Sequence, residues 1–564
     1  MKNLTRSKLL SLFLGAALLT FILPQGRIVK AQTTDDSTSE PVVVVTVGSI
    51  NKLMQDVNYV SGLVGQPQAG GIFALMAGTF TQGVDTTQPI AITVPLVNGM
   101  PQPLALIPTA DVKTVLTRLE AQTGPVDELK DGTLVIAVGV NTVYIRQQGD
   151  WAIIAPDRDV LSLAPTDPAS LFGEDADQYD LSLKLKMQQV PAPMRTMITS
   201  QMRLGFEQAM AQQGGADAEA TQELAETSLA QIEQLITDTD ELEFSFNVDQ
   251  TGKAISIKTR FTAVEGSPLA STLSSQKPIP SQFASVIRPD AAAFFHSAAA
   301  IGPESIDQAV SSLKTVETSL LEVMKAQGEL PPEVQDQLFA WVSRILDLAT
   351  DSINEGKSDI GAVLLAGENN LRLALGTFIS DGNEVAKLAK DFAAKVKDYP
   401  DAPTFEFDRE VYKGVTMHLA KIDIPAYEEE ARSIFGESFD IHIGTADKAI
   451  YLALGKDSKS LLTEIIDAQG SDSSTDRPVG QVQIKLLPMF EFAQSAAAND
   501  FVMAMIDSLS RSADAGKIMY VQESIPNGQE VEISIGEGLL QAVGAAVRQV
   551  ELEAQQNAIQ NGQF

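Results

Sequence analysis

The sequence predicts an α+β protein: two related domains from an internal duplication, each an antiparallel sheet with helices packed on one face. Three observations carry that expectation. An ordered series of strand and helix landmarks occurs twice along the 564 residues. Each series ends in a hairpin whose strands alternate apolar and polar residues around a glycine-containing turn. Between the strands, apolar residues recur at helical spacing, as the layering of helices on a sheet requires.

The landmarks run in the same order in both halves. Leu104-Ala105-Leu106 leads through Thr109 and Asp111 to the helical sequence VKTVLTRLEA, and Leu373-Ala374-Leu375 leads through Ser380 and Asp381 to EVAKLAKDFAAKV. Each is a strand, an N-cap residue and an amphipathic helix. Next, the apolar runs from Trp151 and from Ile450 stop at short turns, and Asp157 and Asp457 stand where helix N-caps belong. Alternating strands come next at 181–187 and 482–488, each succeeded by helical sequence. The closing hairpins turn at Asp249-Gln250-Thr251-Gly252 and at Pro526-Asn527-Gly528. The helices in between differ: one pair is expected at 193–238, broken at Gly214-Gly215, and the other at 303–327 and 331–354. Pro331-Pro332 opens the last of these as first-turn prolines.

The N-terminus reads as an export signal. Lys2, Arg6 and Lys8 precede an apolar run from Leu9 to Leu23, and small residues at Val29 and Ala31 suit cleavage between Ala31 and Gln32. That run of 15 residues is shorter than the ~20 a membrane span needs. The chain then divides into a signal peptide (1–31), a flexible leader (32–41), a first repeat domain (42–276), a second repeat domain (277–550) and a polar C-terminal tail (551–564). The boundary between halves falls in the Pro/Ser-rich stretch SSQKPIPSQ at 274–282.

Composition excludes several chemistries. There are 41 Lys+Arg against 73 Asp+Glu, a net charge of −32, and no cysteine. Removal of residues 1–31 takes away five basic residues and no acidic ones, leaving −37. Such a surface repels nucleic acid and anionic membranes. A cysteine-free chain has no disulfides, thiol nucleophile or thiolate metal site. With 44% hydrophobic and 20% charged residues, it nonetheless has the makings of a packed core.

The histidines are His296, His418 and His442. Asp440 and His442, two apart on one strand, share a face and supply two of the ligands a metal needs, but no second histidine stands at ligand spacing. No G-x-S-x-G elbow accompanies them, and the S-x-x-K matches at Ser274 and Ser311 lack their companion motifs. The loop at 247–252 resembles the start of a calcium loop, yet Lys258 stands where a bidentate Glu is required. No catalytic, metal or cofactor residue is therefore assigned. Met194, Met197, Met202 and Met210 form a candidate ligand groove, since methionine-rich faces adapt to apolar partners. The simpler alternative is a core face.

These features together — an exported, cysteine-free, acidic chain with duplicated α+β halves and pieces such as WAIIAPDRDVLSLA — resemble the uncharacterised duplicated secreted proteins of planctomycete-type bacteria. The resemblance is one of organisation and implies no activity. The functional expectation is an exported non-catalytic binding or scaffolding protein of the periplasm or cell envelope, with an unknown protein or envelope partner. In that expectation it carries no cofactor, binds no nucleic acid, and has no membrane span in the mature chain. The first alternative is a carrier of lipid or apolar peptide in the methionine groove. The second is a carboxylate- or metal-dependent hydrolase, for which Asp157 and Asp457 are the duplicated candidates.

Overall fold

The computed structural model describes residues 40–560, apart from Asn98, 139–140, Glu174, 213–228, 312, 315–316, 318–331, 398–402 and 470–473. The expected export signal and its cleavage point at Ala31 and Gln32 lie outside the described residues.

Among the described residues, twenty strands join in one sheet, and every pairing is antiparallel. In the first half these are β1 (Val43–Val47), β2 (Ile90–Val94), β5 (Leu104–Pro108), β6 (Asp127–Glu128), β7 (Leu134–Val138), β8 (Asn141–Gln148), β9 (Trp151–Ala155), β10 (Leu181–Lys186), β11 (Thr239–Asp249) and β12 (Ala254–Ala263). A separate two-strand ribbon supplies β3 (Leu96–Val97) and β4 (Met100–Pro101). In the second half they are β13 (Ala293–Ala300), β14 (Lys357–Gly367), β15 (Asn370–Phe378), β16 (Thr404–Tyr412), β17 (Val415–Asp423), β18 (Ser438–Ala446), β19 (Ala449–Gly455), β20 (Gly480–Lys485), β21 (Lys517–Ile525) and β22 (Gly528–Gly536).

From one outer edge to the middle, the first half runs β6-β7-β8-β9-β5-β2-β1-β10-β11-β12. From the other edge, the second half runs β16-β17-β18-β19-β15-β14-β13-β20-β21-β22. Each strand holds the same place in both runs. The two meet where β12 pairs with β22, from Ala254 opposite Gly536 to Thr262 opposite Gly528. Antiparallel pairing of matching strands relates the runs as by a twofold axis normal to the sheet, so matching connections emerge at opposite ends of the strands.

The paired landmarks of the sequence fall at matching places: Leu104–Leu106 in β5 and Leu373–Leu375 in β15, then Trp151 in β9 and Ile450 in β19. Asp111 caps the helix Val112–Thr123 by accepting from the Thr114 N–H at 3.1 Å. Asp381 caps Gly382–Val396 by accepting from Asn383 and Glu384. Asp457 departs from expectation. It stands at the N-cap of Ser458–Asp467 with φ 57°, and its side chain makes no capping bond, because the left-handed backbone there turns the carboxylate away from the first-turn amides. In the first half Asp157 accepts from Asp159 N–H at 2.9 Å, and the chain continues into the 3₁₀ turn Asp159–Leu163.

The long helical pairs occupy different connections in the two halves. Ala192–Gln212 and residues 229–238 join β10 to β11, whereas Pro332–Asn354 precedes β14. Their counterparts are Leu486–Ala496 with Asp500–Leu509 after β20, and Ile50–Leu63 with Pro67–Phe80 after β1. The C-terminal residues 551–560 continue the helix Glu537–Gln560.

The largest core lies in the second half. Leu461, Leu462, Ile465 and Ile466 of the helix Ser458–Asp467 pack on Tyr451, Ala453, Met417 and Val415 of the sheet. Each such side chain contributes about 1.5–3 kcal/mol on burial. Phe283 completes this core against two glycines: a Cβ on Gly361 would lie 2.7 Å from the Phe283 carbonyl oxygen, and one on Gly376 would run into its ring.

Candidate functional site

Where the halves join, the sheet inverts the usual division of inside and outside. The strand register places Leu181 of β10, Phe246 of β11, Ile257 of β12, Ile533 of β22, Tyr520 of β21, Val482 of β20 and Phe295 of β13 in one row on one face. A flanking row begins Val248, Ile255, Ile535, Ile518 and Ile484. These are the β-branched and aromatic types a pleated surface favours. Yet Leu181 (44%), Phe244 (43%), Ile257 (44%), Ile533 (38%) and Phe295 (40%) are exposed.

The opposite face of the same strands carries the charge. Ser182, Ser245, Lys258 and Glu532 lie in one row, and Lys184, Glu243, Arg260, Glu530 and Glu523 in the next. Ser182, Glu243 and Ser245 are buried. Glu530 of the second half accepts from both Lys258 (2.8 Å) and Arg260 (2.9 Å) of the first, and Arg260 also reaches Glu243 at 3.7 Å. Lys184 pairs with Asp175. Burial alone would raise the Glu530 carboxyl, but the hydrogen bonds from Lys258 and Arg260 outweigh it and hold the group below its ordinary value. A one-residue slip of β12 on β22 would put these charges on the apolar face, so the ion pairs fix the register that displays the row.

Elements at both ends of the strands bound the row. Helix Pro268–Ser275 packs Ala270 and Leu273 against Phe261 and Ala263 at the end where β12 finishes. The helices Leu486–Ala496, Asp500–Leu509 and Glu537–Gln560 join through Leu509, Met505 and Ala542 at the end where β21 starts and β22 finishes. The result is an apolar stretch of sheet spanning the junction, bounded by helices at both strand ends and called the trough below.

A second site lies near the outer edge of the second half. A pocket of about 100 Å³ is lined by Arg409, Glu410, Met417, His418, His442 and Lys459. It forms at a bulge in β16: Glu406 pairs with Leu419 and Glu410 with Met417, leaving three residues opposite His418. Asp408, at the middle of the bulge, has φ 51°. Its N–H donates to His418 Nδ1 at 3.1 Å, so Nε2 carries the proton and donates to Thr445 Oγ1 at 3.0 Å. Burial lowers the pKa of His418, and also that of His442 against the opposing pull of Asp440. Arg409 is spent on Glu406 (3.1 Å) and Lys459 on Glu410 (2.5 Å), so the pocket offers an anion little unopposed charge. Asp440 accepts from Ser438 at 2.6 Å. Among the described residues no three His, Cys, Asp or Glu side chains gather as a metal site.

His296 is fully buried, and its Nε2 lies 3.0 Å from Ser281 Oγ, which donates to Asp359 at 2.6 Å. The hydroxyl sits between acid and base and out of reach of solvent. That is the wrong order for a nucleophile, which needs the histidine between itself and the acid. Burial and the charge of Arg477 push the imidazole down to about 4.

The predicted groove residues are on the helix Ala192–Gln212. Met194 is half-buried, Met197 and Met202 are exposed, and of Met210 only the backbone is described. Arg195 donates to Gln188 and to the Thr237 carbonyl, and Arg203 to Glu233, tying this helix to residues 229–238. The apolar rows described above belong to strands. Their signal was present in the alternation of LSLKLK, ELEFSFNV, AISIKTRF and EVEISIGE, which shows two unlike faces but not which of them is covered.

No protein-family model matches the chain, and no curated protein matches it. Among solved structures it is similar to one described as crystal form IV of TP0453, at 6% identity and a TM-score of 0.22, over 40% of this chain and 77% of that one. A likeness so slight carries neither fold nor function across.

Proposed function

We propose that the chain is an exported, non-catalytic binding protein that holds an extended apolar ligand of the acyl-chain class in the trough across the β12–β22 junction. The observation that carries this is the row from Leu181 through Ile257 and Ile533 to Phe295, in which those four residues are exposed and the three between them, Phe246, Tyr520 and Val482, half-buried. Soluble proteins rarely leave so continuous an apolar surface uncovered unless something binds there. The half-buried ion pairs behind it support the same reading, since they keep the apolar face outward. Export rests on the basic n-region, apolar run and small residues before Gln32. The identical strand order of the halves supports an ancient duplication, in which fusion of two ten-strand units created the junction and with it the trough.

The test is native mass spectrometry of protein recovered from its expressing cells, with titration of a fluorescent fatty acid. A co-purifying lipid, or saturable uptake of the probe, is the expected result. Protein that is empty and takes up no probe overturns the proposal.

A further inference from the structure

A different surface, at the end of the strands where β22 finishes, has its own chemistry. From Val57 to Val84 the chain runs 28 residues without an Asp, Glu, Lys, Arg or His, although 20% of the whole chain is charged. This stretch contains the helix Pro67–Phe80. Its partner helix Ile50–Leu63 packs beneath it, with Gly70 close against Asn58, and in turn meets Glu537–Gln560 where Val64 faces Gly544. The outer helix is left uncovered: Ile72 is 58% and Leu75 75% exposed, and Phe80 is exposed as well. The helix Glu537–Gln560 that Val64 meets carries an exposed stripe of its own, Val543, Val547 and Val550, at i, i+4 and i+7.

We infer that Pro67–Phe80 is a membrane-docking wedge that seats its apolar side chains in the surface of an electrically neutral lipid bilayer. Charge selects this occupant. A second copy would bring another net −32 against the first, and an anionic bilayer would repel it likewise. A zwitterionic surface has no net charge to oppose, and a charge-free helix enters it without desolvating an ion. Fourteen residues span about 21 Å as a helix, short of a ~30 Å hydrocarbon core, so the helix lies in the interface. No helix among the described residues is long and apolar enough to cross a membrane. The wedge is separate from the trough, so either stands without the other.

The cysteine-free chain allows one environment-sensitive label to be placed by Leu75→Cys in the full-length protein. With phosphatidylcholine vesicles its emission is expected to shift to the blue and to be quenched by acyl-chain nitroxides. Ile72→Glu in the same labelled protein should weaken the lipid dependence about tenfold, and the same label at Tyr427→Cys should not respond. No shift at position 75 overturns the inference, as does a shift that appears on concentrating the protein without lipid, which would make the occupant a second copy. An Ile72→Glu protein that responds like its parent also overturns it. Vesicle docking with an empty trough, or a filled trough without docking, tells the failure of one proposal from that of the other.

Discussion

Ile257 and Ile533 face each other across the β12–β22 pairing that joins the two halves, and both are exposed, while one residue further along the strand from Ile257, Lys258 is held by Glu530 on the other face. An apolar row more exposed than the ion pairs behind it is the reverse of what folding alone favours.

If that inversion serves binding, the apolar pair can be changed without harm to the fold. Ile257→Thr with Ile533→Thr keeps β-branched residues in the strands, and stability should stay within about 0.5 kcal/mol of the parent per site. Probe affinity should fall about tenfold, because both positions give up apolar surface that the acyl chain would cover. Parallel thermal melts and fatty-acid titrations read the two effects. Equal affinity would remove the row from the binding surface.

The charged face should behave oppositely. Glu530→Gln removes the carboxylate charge between Lys258 and Arg260, turns one of its two acceptor oxygens into an N–H donor, and should cost about 1–3 kcal/mol. Because the Glu530 pKa is lowered from 4.5, the stability it contributes is full above that value and is lost as pH falls through the folded-state pKa. Chemical denaturation at a series of acidic pH values should therefore show a smaller loss in the variant than in the parent. The same slope in both would mean the pair is not coupled to folding.

His296 sets a second pH window. Its ordinary pKa of 6.5 falls to about 4 in the fold, so between those values the unfolded chain binds the extra proton. Stability must then rise with pH across the window and decline as pH drops from 6.5 towards 4, by at most about 3 kcal/mol. His296→Gln keeps a donor for Ser281 and removes the titration. Its denaturation midpoint should be flatter from pH 6.5 to 4, and an unchanged slope would point to carboxylates instead.

Phe283 tests the second-half core. Phe283→Ala should cost about 3–5 kcal/mol, as for large aromatic side chains removed from a core. Gly376→Ala, which drives a methyl into the same ring, should cost about 1–3 kcal/mol through overpacking. Combined, they should be less destabilising than the sum, since the cavity left by one admits the methyl of the other. Equilibrium unfolding of the three variants measures this, and strict additivity would show that the ring and the glycine do not meet.

Much of the fold was legible because it is local. Asp111 and Asp381 announce helix starts through a carboxylate that reaches an amide two or three residues on. The turn at Asp249 closes when its side chain accepts from Thr251 and Gly252. Asp457 looks the same in sequence and differs in structure, because its left-handed backbone is imposed where β19 meets the helix. The trough was not legible. A strand such as AISIKTRF shows that one face is apolar, but which face is covered depends on elements hundreds of residues away. Helix Pro67–Phe80 was missed for another reason: its small and apolar residues have weak helical periodicity, although the absence of charge around it was plain.

The sequence by itself determined the α+β character, the strand alternation, the caps and hairpins, and the acidity. These depend on neighbours along the chain and on summed composition. Only the tertiary structure decided that the halves share one sheet, that β12 pairs with β22 in the register holding Glu530 between Lys258 and Arg260, and that the apolar face is left open. Those outcomes rest on pairings across some 270 residues, where burial is set by what comes to lie on each face and no local pattern records it.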